Sequence, residues 1–578
     1  MAAATLAAVS ATVTTSGVAS AAVSATSSPF GPNVYVFDTS MTARSIQTQL
    51  DSLFTAQQSN QFGTARYAIL FKPGSYRVNA NLGYYEDVAG LALSPDGVTI
   101  SGQVRVEGQK DATASSGDTA LENFWRSVEN LSITPPLGYD RWAVSQAAPM
   151  RRVHVRGNLQ LHTANYGYAS GGYIADTKID SQVDSATQQQ WYSRDSAYGS
   201  WASSVWNMVF SGVTGAPAQS FPNPPMTTLA TTPVSREKPF LYVDSAGAYQ
   251  VFVPALRTNA SATTWAAGNA PGTSLPLSSF YIAKPSDTAA TINSQLAAGK
   301  HLILTPGIYS LAESLTVTNP NTVVLGMGFP TLVPSAGNAA ITVADVDGVR
   351  LAGMIVDAGP TNSAALVQLG ASKTTISHAA NPTSVQDVFF RVGGATAGKA
   401  TTSLVVNNND TLLDDVWAWR ADHGTGIGWT SNTADTGLVV NGDNVTALGL
   451  FVEHYQKFQT VWNGQNGRTI FYQSELPYDV PSQAAWMSTA TTNGYASYKV
   501  ADTVTSHQAY GLGVYSFFNQ GVAILDERAI EVPVTAGVAF HDMVTVFLNG
   551  SGGISHVINN VGAPVVGAFG TSYLVSYP

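Results

Sequence analysis

Nine residues, Thr42-Ala43-Arg44-Ser45-Ile46-Gln47-Thr48-Gln49-Leu50, return 246 positions later as Thr288-Ala289-Ala290-Thr291-Ile292-Asn293-Ser294-Gln295-Leu296. Each copy leads into an apolar run that ends in Pro-Gly-x-Tyr, at Pro73-Gly74-Ser75-Tyr76 and Pro306-Gly307-Ile308-Tyr309. A chain that repeats itself over such a distance folds as two similar units. The Pro-Gly motif repeats at an offset of 233, so the first copy holds 13 extra residues, which we place around residues 55–65. In both copies Ile and Leu spaced by four predict a short helix, and the Pro-Gly turn closes a strand. The pattern reads as a helix capping a stack of strands.

Beyond the second cap, turn residues followed by apolar runs recur. Measured from Val349 to Val385 to Leu412 to Val445, the steps are 36, 27 and 33 residues. This spacing predicts an all-β chain whose units are coils of a parallel β-helix, with Asn, Gly, Ser and Thr at corners and in stacked ladders. A pair of β-sandwiches with irregular hairpins is the alternative. A Pro-, Ala- and Thr-rich stretch at residues 216–233 and a polar segment at residues 258–275 mark the connection. The expected partition is therefore 1–28, 29–275 and 276–578.

Charged residues are 11% of the 578, with 27 Lys and Arg against 37 Asp and Glu, while 44% are hydrophobic. That supplies large cores and excludes a disordered chain. A net charge of -10 without a basic cluster argues against nucleic acid and anionic membranes as partners. The absence of cysteine removes disulfides, thiolate metal sites and Cys nucleophiles. Residues 1–28 are almost wholly Ala, Val, Ser, Thr and Gly, with Ala19-Ser20-Ala21 resembling a signal-peptidase site. The first positive charge is Arg44, so the basic start of a secretory signal is missing. The expectation is a secreted protein, and a monomer, because one chain already brings two units together.

The segment richest in chemistry runs Phe451-Val452-Glu453-His454-Tyr455 and, 22 residues on, Ser474-Glu475-Leu476-Pro477-Tyr478. Twenty-two residues is about one coil. At equivalent positions on successive coils the two glutamates would share a ledge, with backbones roughly 4.8 Å apart. Such a pair resists ionising together, which leaves a protonated acid beside an ionised partner, the requirement of glycosidic bond cleavage. The plain alternative is two surface glutamates on unrelated loops. Trp417, Trp419, Trp429, Tyr455, Trp462, Tyr472, Tyr478 and Trp486 crowd the same region, either as core or as faces for sugar rings. In the first unit, Trp142-Ala143-Val144-Ser145-Gln146-Ala147-Ala148-Pro149 and Tyr166-Gly167-Tyr168-Ala169-Ser170-Gly171-Gly172-Tyr173 offer uncharged hydrogen-bonding groups. They could orient a water or hydroxyls, or fill structural ladders. The nine His show no metal spacing and no Gly-x-Ser-x-Gly elbow is present, so no metal and no cofactor are expected.

Taken in order, the Trp142 and Ala169 motifs, Trp417-Ala418-Trp419-Arg420-Ala421-Asp422-His423, Phe451-Val452-Glu453-His454 and Ser474-Glu475-Leu476-Pro477-Tyr478 resemble glycoside hydrolase family 55, the exo-acting β-1,3-glucanases, over nearly the whole chain from about Asn33. The resemblance implies two tandem right-handed parallel β-helices packed side by side as a rib-cage, with the cleft between them. It implies an inverting mechanism with Glu475 as general acid and Tyr478 beside it. Glu453, Gln146 and Ser170 resemble the groups around the nucleophilic water. Trp419, Asp422 and Tyr166, with His423 and Trp429 nearby, look like the groups that hold the terminal glucose. The substrate would be a laminarin-like β-1,3-glucan. The competing functions are a β-helix enzyme of polygalacturonase or lyase type on another polysaccharide, and a non-catalytic glycan-binding protein.

Overall fold

A computed structural model describes residues 28–578; the signal-like stretch, apart from Ser28, lies outside the described residues. Among the described residues no helix is long and apolar enough to cross a membrane.

The first half opens with β1 (Val34–Phe37), α1 (Ala43–Gln57) and β2 (Tyr67–Phe71). It continues through β3 (Glu86–Gly90), β4 (Arg126–Ile133), β5 (Met150–Val155), β6 (Tyr173–Ala175), β7 (Gln190–Arg194), β8 (Asn207–Ser211) and β9 (Met226–Leu229). These nine strands pair in chain order, every neighbour parallel. Short antiparallel sheets follow between Thr232 and Pro276.

The second half repeats the opening with β10 (Phe280–Ala283), α2 (Ala289–Ala297) and β11 (His301–Leu304). Its main sheet runs on through β12 (Val323–Gly326), β13 (Arg350–Asp357), β14 (Ser384–Val392), β15 (Leu412–Arg420), β16 (Thr446–Glu453), β17 (Gly467–Glu475), β18 (His507–Phe518) and β19 (Val538–Gly550). All of these are parallel, and β20 (Gly570–Tyr577) closes the edge antiparallel to β19. An eight-stranded second sheet, from Leu315–Val317 to Ile530–Glu531, backs the same core. Parallel neighbours that follow one another in the chain cannot be joined by hairpins, which disposes of the sandwich alternative.

The two caps are built alike. The Thr42 hydroxyl accepts from the Ser45 amide and the Thr288 hydroxyl from the Thr291 amide, each satisfying a donor that the first turn of a helix leaves free. Ile46 and Leu50, like Ile292 and Leu296, then face the core. Of the 13 extra residues of the first copy, six lie in a helix of 15 residues in place of nine, six in a longer loop, residues 58–66 in place of 298–300, and one in a strand of five residues in place of four.

The register corrects the spacing read from sequence. Leu351 pairs with Val385, Val385 with Leu413 and Leu413 with Ala447, giving steps of 34, 28 and 34 residues. These strands are buried along their whole length, β14 and β15 at all nine positions, so apolar residues occupy both faces and alternation cannot mark the register. What marks it is a row of left-handed residues, one per strand: Gly353, Asp387, Asp415, Gly449, Phe471, Gly511 and Asp542. Asn130, Arg152, Asp176 and Asp195 form the matching row in the first half. Each bends its strand at one level, and Asp, Asn and Gly tolerate that conformation best.

The main sheets of the two halves face one another. Tyr84, Tyr85, Phe124, Trp125, Tyr173 and Tyr192 from the first half merge with Phe389, Trp417, Trp419, Phe451 and Phe471 from the second into one dry layer. Beside it runs a buried ionic network. Arg151 grips Asp387 at 2.6 and 2.8 Å and Asp414 at 3.1 Å, and Arg194 grips Asp414 at 2.6 Å and Glu237 at 2.5 Å. Burial pushes the Asp414 carboxyl up, but Arg151 and Arg194 outweigh it and hold the group below its ordinary value.

Candidate active site

Phe451 pairs with Gln473, and the same register sets Glu453 opposite Glu475, at the ends of β16 and β17. Trp419 pairs with Glu453 on the other side, and Tyr515 pairs with Glu475. The row Trp419, Glu453, Glu475, Tyr515 therefore runs along one face, one residue per strand. Trp417 and Gln473 stand two residues earlier on the same face, as the two-residue period of a strand requires.

Glu453 is 3% exposed and both its oxygens are occupied. Gln146 Nε2, from the turn before β5 in the opposite half, donates to Oε1 at 2.7 Å, and Trp417 Nε1 donates to Oε2 at 2.8 Å. Gln146 is held in turn by the Ser170 hydroxyl, which donates to Gln146 Oε1 at 2.8 Å, and Ser170 lies 3.0 Å from the Ser145 hydroxyl. Ladder and site, the two readings left open for these Gln and Ser residues, are thus parts of one chain: Ser145 and Gln188 bind backbone between strands, while Gln146 crosses to the carboxylate. Glu475 is less enclosed. Tyr478 donates to its Oε2, Gln473 Nε2 lies 3.3 Å from Oε1, and His454 Nε2 lies 3.9 Å from Oε2.

Burial raises both carboxyls above the ordinary range. Glu453 is pushed further by the neighbouring Glu475, against the hydrogen bonds from Trp417 and Gln473. Glu475 is pulled back by the His454 charge and the Tyr478 hydroxyl, and pushed up again by Asp422. Two carboxyls so coupled carry one negative charge more readily than two. Asp422 differs: burial pushes it up, yet the His423 hydrogen bond and the His454 and His423 charges hold it at about 2. His423 Nδ1 lies 2.9 Å and His454 Nε2 4.0 Å from Asp422 Oδ1. The centre thus offers an ionised acceptor, Asp422, next to a proton-holding pair.

The aromatic residues are mostly not open platforms. Trp417, Trp419, Trp462 and Trp486 are fully enclosed, as are Tyr455 and Tyr472. Trp419 lies between Trp417 at 5.2 Å and Phe62 at 6.3 Å, stacked on both, so as a face for a terminal sugar it is corrected to a wall. The physical cause is the opposite half, which covers the face on which Trp417 and Trp419 project. Trp429 and Tyr478 stay half-buried; Trp429 lies under Arg420, whose guanidinium is bound to Asp479 at 2.7 and 2.9 Å. Tyr166 is 59% exposed on the loop before Ser170, its ring stacked on His162 at 4.5 Å and outside the layer of buried rings.

Sequence reasoning missed Gln473 and His454 as members of the centre, and named Trp417 only as core or as a face for a sugar ring. Their signal was present: each lies one or two residues from a named site residue, and the strand period alone sends Trp417 and Gln473 to the same face as Trp419 and Glu475. Gln61 and Phe62, which reach His423 and Trp419 from the first half, had no such signal.

Parallel strands thus carry a paired-carboxylate centre between duplicated halves, an arrangement suited to cleavage of a glycosidic bond. Comparison with known proteins narrows this. Residues 280–475 match the family model described as the LAM55 pectate lyase-like domain. The chain is 54% identical over 550 residues, 95% of its length and 89% of the relative's, to an exo-beta-1,3-glucanase of Streptomyces sp. SirexAA-E. The solved Lam55A structure from that organism is 53% identical, covers 95% of this chain and 99% of its own, and superposes with a TM-score of 0.92. A glutamate-to-alanine variant of that protein in complex with glucose superposes with a TM-score of 0.91. The chain belongs to this Lam55 family of exo-β-1,3-glucanases.

Proposed function

We propose that the protein is an inverting exo-β-1,3-glucanase that releases glucose from the non-reducing ends of laminarin-like β-1,3-glucan, each half being a right-handed parallel β-helix and the two lying side by side as a rib-cage. The observation that carries the reading is the in-register pair Glu453 and Glu475, clamped from the opposite half by Gln146, in a chain 54% identical to a named exo-beta-1,3-glucanase.

Burial raises the Glu475 carboxyl above its ordinary value, which favours its protonated form, and its position at the less enclosed side of the pair lets it deliver that proton to the glycosidic oxygen as the C1–O bond breaks. Although burial and Glu475 push Glu453 up, Gln146 and Trp417 donate to both of its oxygens and hold the pair's single charge there while Glu475 carries the proton; a water on the opposite face of the ring attacks C1 and loses its proton to that carboxylate. Gln146 and Ser170 orient that water, and the proton gained by Glu453 returns to Glu475 through solvent after the product leaves. Inversion calls for carboxyls roughly 6.5–9.5 Å apart, more than one strand spacing. Glu453 is bonded to Trp417 of β15 and Glu475 to Tyr478 beyond β17, so different partners hold the two carboxyls. Asp422, ionised, accepts from hydroxyls of the terminal glucose, with His423 and His454 beside it; Tyr166 and Trp429 are assigned to the sugar by the family resemblance alone.

A polyuronate is a poor fit for this centre, because Glu453, Glu475 and Asp422 are acidic and the nearby Arg420 is consumed by Asp479. Proton NMR of laminarin digestion tests the reading: α-glucose as the earliest product supports inversion, β-glucose means retention, and no sugar removes the activity. We also assign the protein to the extracellular space and to a monomeric state. A mass near twice 60.6 kDa in light scattering contradicts the second. Recovery of the natural protein only from cell contents contradicts the first.

A further inference from the structure

We propose that the loop at residues 58–66 is the end wall of the cleft, and that it confines cleavage to the last sugar of the chain. The inference rests on the glucanase reading above and adds the element that sets its exo mode.

The loop is the part of the first cap that has no counterpart in the second, where residues 298–300 make the same connection. Its roots are fixed in the first half. Gln57 Nε2 donates to the Tyr84 and Ala65 carbonyls at 2.7 and 3.1 Å, and the Tyr85 hydroxyl donates to the Gln61 carbonyl at 2.5 Å. Its tip is fixed in the second half. Phe62 lies parallel to Trp419, with an interplanar angle of 5°. Gln61 Nε2 meets His423 Nε2 at 2.6 Å, and Arg66 Nε donates to the Thr331 hydroxyl at 2.8 Å. The ring of Phe62 fits against Gly394 and Gly424, where a Cβ would come within 2.9 and 2.7 Å of it. Both glycines also have positive φ, 85° and 95°. Two bare backbone positions and one Trp face make a seat for this ring.

The level of that seat gives the loop its meaning. Trp419 pairs with Glu453, and Glu453 stands opposite Glu475, so the seat lies two strand spacings, about 10 Å, from the acid. Between them stands Asp422, tied to the loop through His423. A wall at that distance leaves room beside the acid for the terminal ring and stops the chain from running on past it. On the far side of Glu475 the row continues to Tyr515, which Trp206 of the first half covers, so the leaving chain departs past Glu475 and Tyr478, both of which are partly exposed.

Two variants test this: Phe62→Ala, which keeps the loop backbone, and a shortened loop with Gly-Gly in place of residues 60–64. The substrates are laminarin and β-1,3-gluco-oligosaccharides whose non-reducing terminal ring carries a bulky blocking group. The unmodified protein is expected to release glucose from laminarin and to leave the blocked oligosaccharides intact. The variants are expected to cut the blocked oligosaccharides and release fragments of two or more units, at least 10-fold above the unmodified protein. Folded variants that still yield only glucose and spare the blocked substrate overturn the assignment. Phe62→Ala decides alone if the shortened loop does not fold. An unmodified protein that releases no sugar overturns the glucanase reading itself, whereas an active one with unchanged variants overturns only the role of the loop.

Discussion

The two halves begin with the same cap and stack strands in the same parallel order, yet they bring different chemistry to the carboxylate centre. The second half contributes ionisable groups, Glu453, Glu475, Asp422 and His454, from the ends of β15 to β17 and the turns after them. The first half contributes neutral donors and a wall, Gln146, Ser170, Gln61 and Phe62. Duplication supplied two equal frames, and the division of labour lies in what each frame carries at its facing edge. The lesson is electrostatic: a neutral amide from one side can hold a carboxylate on the other without competing for the proton that the pair must share.

The comparison is broken most severely by removing the acid. Glu475→Gln keeps the shape and the Tyr478 contact but has no proton to give, and kcat is expected to fall by about 10²–10⁴ with circular dichroism unchanged. Turnover like that of the unmodified protein would mean that the proton donor is another group. Gln146→Ala attacks the neutral side. It removes a charge-assisted hydrogen bond of roughly 1.5–3 kcal/mol, so kcat is expected to fall about 10- to 100-fold with a smaller change in KM.

His454→Asn sharpens the account by moving a titration. A general acid works while protonated, so activity falls as pH rises through the Glu475 pKa. The His454 charge pulls that pKa down, so its removal is expected to shift the alkaline limb of kcat/KM to higher pH, and an unmoved limb would detach His454 from the acid. The smallest effect compares the caps. Thr42→Ala and Thr288→Ala each remove one side-chain cap, and each is expected to cost about 1 kcal/mol of stability, read as similar shifts in thermal midpoint. Unequal shifts would show that the longer α1 and its loop have become dependent on the cap in a way α2 has not.

Much of the frame is legible in the sequence because it rests on local rules. Thr42 and Thr288 announce helix starts, Ile and Leu at fourfold spacing announce the buried face, and the Pro-Gly turns close the first strands. The glutamate ledge is legible for a similar reason, since 22 residues happens to be the true step between β16 and β17. The other steps were misjudged by one or two residues because β13 to β15 are buried on both faces and give no alternation to count. For Trp417 and Trp419 the sequence left two readings open, core or sugar face. Whether such a ring meets solvent or another sheet depends on where the first half docks, and that is fixed by residues such as Arg151 and Arg194 far away in the chain.

The ionic network between the halves also has a consequence for how the molecule is made. Arg151 finds its main partner in Asp387, 236 residues later in the chain, an interval on the order of 10–50 s of synthesis at typical rates. Until that stretch is made, Arg151 has no Asp387 to bind and Tyr84, Phe124 and Trp125 lack the rings that cover them, so the facing side of the first half is completed only by the second.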